Sequence, residues 1–332
     1  MNKKIDKISL IVEDSGDEER IDKYTSTMLT QFSRSSIKSW IDSGYILLDE
    51  KRVKPRTLLK SSQVISVIPQ FEDRKETKAE EIELKIVFED DDIIIIDKPS
   101  SMVVHPGHGN ISGTLQNGLL FYNDKLGILP RAGLIHRLDK DTTGLIMAAK
   151  NTTSYHQLVK DMQSRLIQRE YRAICKGEMV AGGVIEANLS RDPRNRLKFR
   201  VSESGRSSKT HYRVLSRLKG YTFAGIRLET GRTHQIRVHF SHIRYPILGD
   251  QLYGGRLTMP KNANDEIRKM LGAFNRQALH AFRLNFKHPK SQEIISLTSP
   301  LPKDMESMMI ALSDGQLDSK AISDFSYPEQ KV

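Results

Sequence analysis

One cysteine, Cys175, and one tryptophan, Trp40, stand in 332 residues. A lone cysteine excludes a disulfide framework and a zinc site built on cysteines, and it fits a reducing compartment such as the cytoplasm. No run of about 18 apolar residues occurs, so a membrane-crossing helix is not expected. The N-terminus, MNKKIDKISLIVEDSGDEER, lacks a long apolar stretch and turns acidic by residue 20, which argues against a secretory leader. Familiar cofactor and nucleophile motifs are also missing. There is no GxxxxGKS/T, no GxGxxG after a strand, no HExxH and no GxSxG, so no cofactor is expected. A metal is not expected either. His105 and His108 in VVHPGHGN are three apart on a Pro/Gly loop, with no cysteine or acidic partner near.

What the chain has in excess is positive charge. Lys and Arg number 52 against 41 Asp and Glu, a net charge of +11. A basic balance of this size points to a polyanionic partner, nucleic acid first. The competing reading is a basic surface that serves only solubility. Apolar residues make up 38%, enough for the core of one large and one small domain.

Residues 1–17 read as a short strand, KISLIVE, and an acidic turn. Residues 18–75 read as a compact basic unit. Ile21, Tyr24, Met28 and Leu29 recur at helical spacing. SRSSIKSWIDSG restarts a helix, with Ser33 as N-cap, Ile37, Trp40 and Ile41 as its apolar face and Gly44 as its stop. YILLDEKRVKPR reads as a strand and a basic turn, and QVISVIPQ as a closing strand. Arg34 and Lys38 lie one helical turn apart, and Lys51, Arg52, Lys54 and Arg56 crowd the turn. The pattern suits phosphate binding, or simply a solvated face. Residues 76–83 end a charge-dominated run, EDRKETKAEEIE, and read as a linker.

From residue 84 the texture changes. LKIVFEDDDIIIIDKP gives two strands around an acidic turn, with the β-branched run Ile93 to Ile96 as a central strand. Apolar strands recur at 145–149, 171–174, 223–228, 236–240 and 293–297. Helical patches lie near 112–121, 152–165 and 264–273. The mixed order predicts α+β architecture, with a large domain over 84–312 and a polar tail at 313–332.

Three segments are unusually polar for their apolar settings. In GLIHRLDKDTTGLIMAAK (133–150) two apolar runs read as buried strands, and the loop between them holds Asp139 and Asp141. RLIQREYRAICKG (165–177) begins an apolar strand at Tyr171. LETGRTHQIRVHF (228–240) turns at Thr230-Gly231 and then reads as a strand. Ile236, Val238 and Phe240 share one face, and Gln235, Arg237 and His239 the other. A carboxylate at the rim of a core needs a cation, and Arg237 could supply it and keep Asp139 charged. Residue types alone leave two roles open for Asp139. One is a structural ion pair that closes two loops. The other is a desolvated acid beside Arg and Tyr, acting as nucleophile or base. Asp141, with Thr142 and Thr143, reads as a turn former.

The three segments, in this order, resemble the signatures of RluA-type pseudouridine synthases. HRLDKDTTG and TGRTHQIRVH carry most of the likeness, and FEDDDIIIIDKPSSMVVHP (88–106), PILGDQLYGG (246–255) and RQALHAFRLNFKHP (276–289) fall in step. RIDKYTSTMLTQFSRSSIKSWIDSGYILLDEKRV is similar to S4 RNA-binding domains. The resemblance implies a catalytic domain on a mixed, mainly antiparallel sheet, preceded by a small α+β S4 domain. It implies an isomerase that turns uridine into pseudouridine in large-subunit ribosomal RNA, free or in a pre-50S particle, with the helix 69 stem-loop as target. Such an enzyme needs no cofactor and no membrane, and a cytoplasmic monomer is expected. Asp139 matches the family's catalytic aspartate, Tyr171 the tyrosine against the target base, and Arg237 the basic partner of the aspartate. Arg137 matches an arginine that fills the space left by a flipped nucleotide. His136 and Leu138 would orient the loop, and Arg232, His234 and Gln235 would lie on the substrate side. Arg34, Lys38, Lys51, Arg52, Lys54 and Arg56 would carry the S4 contacts. The chain departs from the pattern at Leu48-Asp49, at Ser61-Ser62 and at Ser101, where a glycine is usual. The alternative from another class is a non-catalytic RNA-binding assembly factor that keeps the fold.

Overall fold

The computed structural model describes residues 7–29, 32, 34–69, 77–107, 109–261 and 263–323. The expected N-cap Ser33, His108 of the paired histidines and the last part of the polar tail lie outside the described residues. The chain divides into two compact units, Met1–Glu76 and Thr77–Val332.

The first unit runs β1 (Ile8–Ile11), α1 (Ile21–Met28), α2 (Arg34–Ser43), β2 (Ile46–Leu48), β3 (Lys51–Arg52) and β4 (Val64–Val67). Its sheet has the order β1-β4-β2-β3, antiparallel throughout. Ile21 and Tyr24 of α1 and Ile37, Trp40 and Ile41 of α2 close over Ile46, Leu48, Ile65 and Val67 in one core. Met28 does not join them and is exposed. Gly44, at φ 80°, takes the left-handed turn that ends α2.

The second unit runs β5 (Ile86–Glu89), β6 (Ile93–Lys98), α3 (Leu115–Tyr122), β7 (Thr143–Ala149), α4 (Thr152–Gln163) and β8 (Gln168–Lys176). It continues with β9 (Gly183–Arg191), β10 (Phe199–Val201), β11 (Arg206–Leu218), β12 (Tyr221–Leu228), α5 (Gln235–His242) and α6 (Asp265–Ala273). It ends with β13 (Leu279–Lys287), β14 (Ile294–Thr298), α7 (Lys303–Leu312) and α8 (Ser319–Ser323). One mixed sheet has the order β10-β9-β11-β12-β8-β13-β7-β6-β5, with β14 also on β13. Among the described residues only β13 and β7 pair in parallel. The isoleucine run explains itself here. Ile94 and Ile96 enter one core cluster, Ile93 and Ile95 the cluster on the opposite face. A strand covered on both sides has no polar face to alternate with.

Three expectations fail, each for a physical reason. Residues 133–135 are not a strand. Arg131, Ala132 and Gly133 all have positive φ, so the chain turns there, and Leu134 makes only an isolated bridge to Ala148. Residues 236–240 are not a strand but the body of α5. Six consecutive residues, Gln235 to Phe240, are buried, so the helix shows no solvent-facing stripe. Even spacing of Ile236, Val238 and Phe240 then imitates a strand. Residues 77–83 are not a free linker. They lie along α3, where the Asn117 side-chain amide donates to the Lys78 carbonyl at 2.7 Å and Ile82 and Leu84 pack close over Gly118.

Candidate active site

The loop that carries Asp139 is fastened from several sides. Thr142 N–H donates to the Asp139 carbonyl at 3.1 Å and closes the turn. Lys98, fully buried at the end of β6, donates to the Lys140 carbonyl at 2.9 Å and to the carbonyls of Pro99 and Met102. Arg276 reaches the Asp141 carbonyl at 3.4 Å, and Gln277 donates to the Thr142 hydroxyl at 3.1 Å. It is therefore the main chain of Asp141, rather than its carboxylate, that joins the turn. Gly144 then lets β7 pass β13 closely. It has φ 105°, and a Cβ there would lie 2.2 Å from the Ala281 carbonyl oxygen. Leu138 is buried in the main core, as an anchor for the loop.

Arg237 reaches this loop from α5. Its Nη1 donates to Asp139 Oδ2 at 2.9 Å. Its Nε and Nη2 form a two-pronged bond to Asp250, at 2.7 and 2.8 Å. The Asp250 side chain has no exposure at all, and it also accepts the amides of Leu252 and Tyr253. Burial works against the Arg237 charge, but Asp250 and Asp139 outweigh it, and its pKa is raised. Burial likewise opposes the Asp250 carboxylate. The Arg237 bonds and charge, with the two amides, still hold its pKa below the ordinary value.

The helical form of α5 has a direct consequence. Residues 234 and 237 are three apart, so they share a side on a helical turn but would oppose each other on a strand. His234, at φ 57° just before the helix, places Nε2 3.9 Å from Asp139 Oδ1. The Tyr253 hydroxyl accepts the Phe199 amide and shares a hydrogen bond with His234 Nδ1 at 2.8 Å. Burial lowers the His234 pKa, although Asp139 pulls the other way. The imidazole is then neutral near pH 7.

These groups open onto a cavity of about 460 Å³. Tyr171, in the middle of β8 between Ile226 and Ala281, forms part of its wall and is itself buried. Burial pushes its pKa up, against Arg169, so the phenol is neutral at ordinary pH. His136 is neutral as well, with its pKa pushed down to about 3 by burial and by Arg169. Arg137 and Arg232 are exposed on the same wall.

A family described as RNA pseudouridylate synthase matches residues 92–242, which hold Asp139, Tyr171 and Arg237. The ribosomal large subunit pseudouridine synthase D of Xanthomonas campestris pv. campestris is 43% identical over 304 residues, covering 92% of this chain and 92% of that protein. The protein of that name from Vibrio cholerae is 44% identical over 304 residues, covering 91% and 94%. The chain belongs to the RNA pseudouridylate synthase family. It is thereby an isomerase acting on RNA. Among solved structures, human RNA Pseudouridylate Synthase Domain Containing 1 shares the fold, with a TM-score of 0.53 at 22% identity over 74% of this chain and 97% of that one. Human RNA Pseudouridylate Synthase Domain Containing 4 has a TM-score of 0.52 at 26% identity, over 68% and 92%.

Not every expected residue of this family member faces the cavity with a free side chain. Gln235 borders the cavity but uses its side chain within the fold. Its Oε1 accepts from Thr230 and the Arg232 amide, and its Nε2 donates to Lys209 and Thr210, so it ties the 230–232 turn to β11. Arg34 pairs at 3.0 Å with buried Asp22, which also binds Arg20, and about half of its side chain stays exposed. Lys38, Lys51, Arg52, Lys54 and Arg56 are exposed. Four residues of the site were not foreseen: Asp250, Tyr253, Lys98 and Arg169. Asp250 and Tyr253 stand in PILGDQLYGG, and a buried arginine beside a carboxylate is a reason to look there for a second one.

Proposed function

We propose that this chain isomerises uridine to pseudouridine in large-subunit ribosomal RNA, at the helix 69 stem-loop, with Asp139 as the reacting acid. One observation carries the reading. The Asp139 carboxylate is aimed by Arg237, itself clamped by Asp250, into a cavity walled by Tyr171. The names of the relatives support the large-subunit target.

The chemistry suits these groups. The N1–C1′ bond of uridine breaks, the base turns, C1′ joins C5, the C5 proton leaves and N1 gains a proton. Product and substrate are therefore isomers, with no net change in atoms or electrons. Asp139 serves as nucleophile toward the sugar or the uracil, or as base toward a sugar proton, and Arg237 keeps the carboxylate oriented throughout. Tyr171 brings a neutral phenol to the turned base. The target nucleotide must leave its stack, which costs least in a loop. Phosphate contacts would add most of the affinity. The segment SRDPRNRLKFR suits that task, because Arg191, Arg194, Arg196 and Arg200 are exposed and Phe199 meets the edge of His234 at 5.8 Å. The first unit would be an S4-type RNA-binding domain over 18–75, and residues 84–312 the catalytic domain of a cytoplasmic monomer.

The test is a map of pseudouridines in ribosomal RNA from cells with and without the protein, repeated with Asp139→Asn. The expected result is loss of helix 69 pseudouridines in both deficient cases, with RNA binding by Asp139→Asn retained. Normal modification by Asp139→Asn would overturn the assignment of the acid.

A further inference from the structure

The cavity wall holds a further cation, Arg169, beside Tyr171. Strand alternation puts Arg169 on the same face of β8 as Tyr171, two residues on, and both border the cavity. The other less exposed guanidinium there is taken: Arg237 serves Asp139 and Asp250. Arg165 pairs with Glu229 at 3.1 Å, and Arg232 Nε donates to the Ser207 carbonyl at 3.3 Å. Arg169 Nε is buried and has no hydrogen-bond partner among the described residues.

A second donor beside it is in the same condition. His136 Nε2 accepts the Met147 amide at 3.2 Å, so the ring proton sits on Nδ1. That Nδ1 is buried without a partner too. Two buried donors on one wall, one cationic and one neutral, lack an acceptor among the described residues, and the Arg169 side chain that carries one of them borders the cavity. The sequence also makes room for the guanidinium. A Cβ on Gly231 would lie 2.7 Å from Arg169 Nη1, and the next nearest atoms are Nη2 and Cζ of the same fork.

We propose that Arg169, seated against Gly231 and assisted by His136, binds an acceptor oxygen of the target nucleotide. The proposal rests on the reading of this cavity as the uridine site. The oxygen belongs to a uracil carbonyl or to a phosphate, and both present the same lone pairs to the fork.

The experiment compares wild type, Arg169→Met, Gly231→Ala and the double variant on a short stem-loop RNA, under single turnover and at several salt concentrations. Arg169→Met should lower kcat/KM roughly tenfold to a hundredfold, as for one charge-assisted hydrogen bond, with an unchanged thermal midpoint. Gly231→Ala should lower it in the same direction, because the atoms nearest the added methyl are those of the fork. The double variant should be no worse than Arg169→Met alone. A phosphate source flattens the salt slope of Arg169→Met by about 0.7–1, and a carbonyl source leaves the slope unchanged; either result supports the contact. Wild-type turnover by Arg169→Met, or a Gly231→Ala loss that adds to it, overturns the role of Arg169 alone. Absence of product from wild type overturns the uridine-site reading and this one with it. If Arg169→Met fails to fold, full activity of Gly231→Ala overturns the proposal and reduced kcat/KM supports it.

Discussion

Replacing Asp250 with Asn tests whether Arg237 is the hub of the site. The aspartate accepts four hydrogen bonds. Oδ1 takes Arg237 Nη2 and the amides of Leu252 and Tyr253, and Oδ2 takes Arg237 Nε at 2.7 Å. Asparagine has nearly the same shape and keeps one acceptor oxygen. If that oxygen stays with the two amides, its NH2 faces the Arg237 Nε–H, donor against donor. The buried guanidinium would then have one carboxylate, Asp139, instead of two. Breaking a buried pair of this kind costs about 3–5 kcal/mol. At about 2–4 °C per kcal/mol for a large domain, the thermal midpoint should fall by roughly 6–20 °C. Asp139→Asn should cost far less, because Asp139 is partly exposed and the Arg237–Asp250 clamp survives. Turnover should suffer in both. Acid sharpens the contrast. The folded Asp250 carboxyl titrates below its unfolded value, so its stabilisation is present above about pH 4 and is lost as the pH falls through the folded pKa. Thermal unfolding between pH 3 and 7 should therefore show a weaker acid dependence in Asp250→Asn than in wild type. An Asp250→Asn midpoint equal to wild type, or below-wild-type stability only in Asp139→Asn, would refute the hub.

Lys98→Met should cost about 2–4 kcal/mol, since three carbonyls lose their donor while a buried charge disappears, and kcat should drop with it. Burial pushes the Lys98 pKa down to about 7, against Asp141 and Asp139, so the folded protein sheds this proton before the unfolded chain does. Stability of wild type measured by denaturant should accordingly rise between pH 7 and about 10.4, and Lys98→Met should lack that rise. Ser101→Gly should leave stability equal or raise it by up to about 1 kcal/mol, because Ser101 sits at φ 63°. A loss above 1 kcal/mol in thermal unfolding would show that the serine is not strained. Changing Lys51, Arg52, Lys54 and Arg56 together to Ala should flatten the salt dependence of RNA binding by up to about 3 in log–log slope, and an unaltered slope would remove this turn from the interface.

Much of the candidate site is legible because it sits in short polar interruptions of apolar runs. Asp139, Tyr171 and Arg237 announce themselves as charges and a phenol where burial is expected. What failed is instructive about burial itself. A periodicity argument needs a solvent face, and α5 has none over Gln235 to Phe240, so its residues were placed on a strand. Arg237 pairs with Asp139 from a helix rather than from a strand, and His234, in the left-handed turn just before that helix, approaches the same carboxylate. Asp250 was hidden for another reason. In PILGDQLYGG it looks like a turn residue, and its partner lies in another element. Local pattern does not report such tertiary pairing. The departure at Ser101 shows the reverse case, where the resemblance marked a glycine position and the backbone there has the left-handed conformation that glycine adopts freely.

Two buried lysines show how the site is held still. Lys98, at the end of β6, gives its ammonium to three carbonyls, one of them that of Lys140 beside Asp139. Lys176, at the end of β8, gives its own to the carbonyls of Gly254, Gly255 and Arg256, just beyond Asp250 and Tyr253. In the charged form an ammonium has three N–H groups, and each cage offers three oxygens. So each loop that carries a carboxylate is tied to the end of a sheet strand, and Arg237 joins the two loops through those carboxylates. Neither lysine spends its charge on an acid by direct contact, which leaves both aspartates for the arginine. The sheet then fixes both ends of the Asp139–Arg237–Asp250 chain before any substrate arrives. A carboxylate aimed in advance needs no rearrangement as charge develops, which is the condition for a strong electrostatic contribution to the reaction.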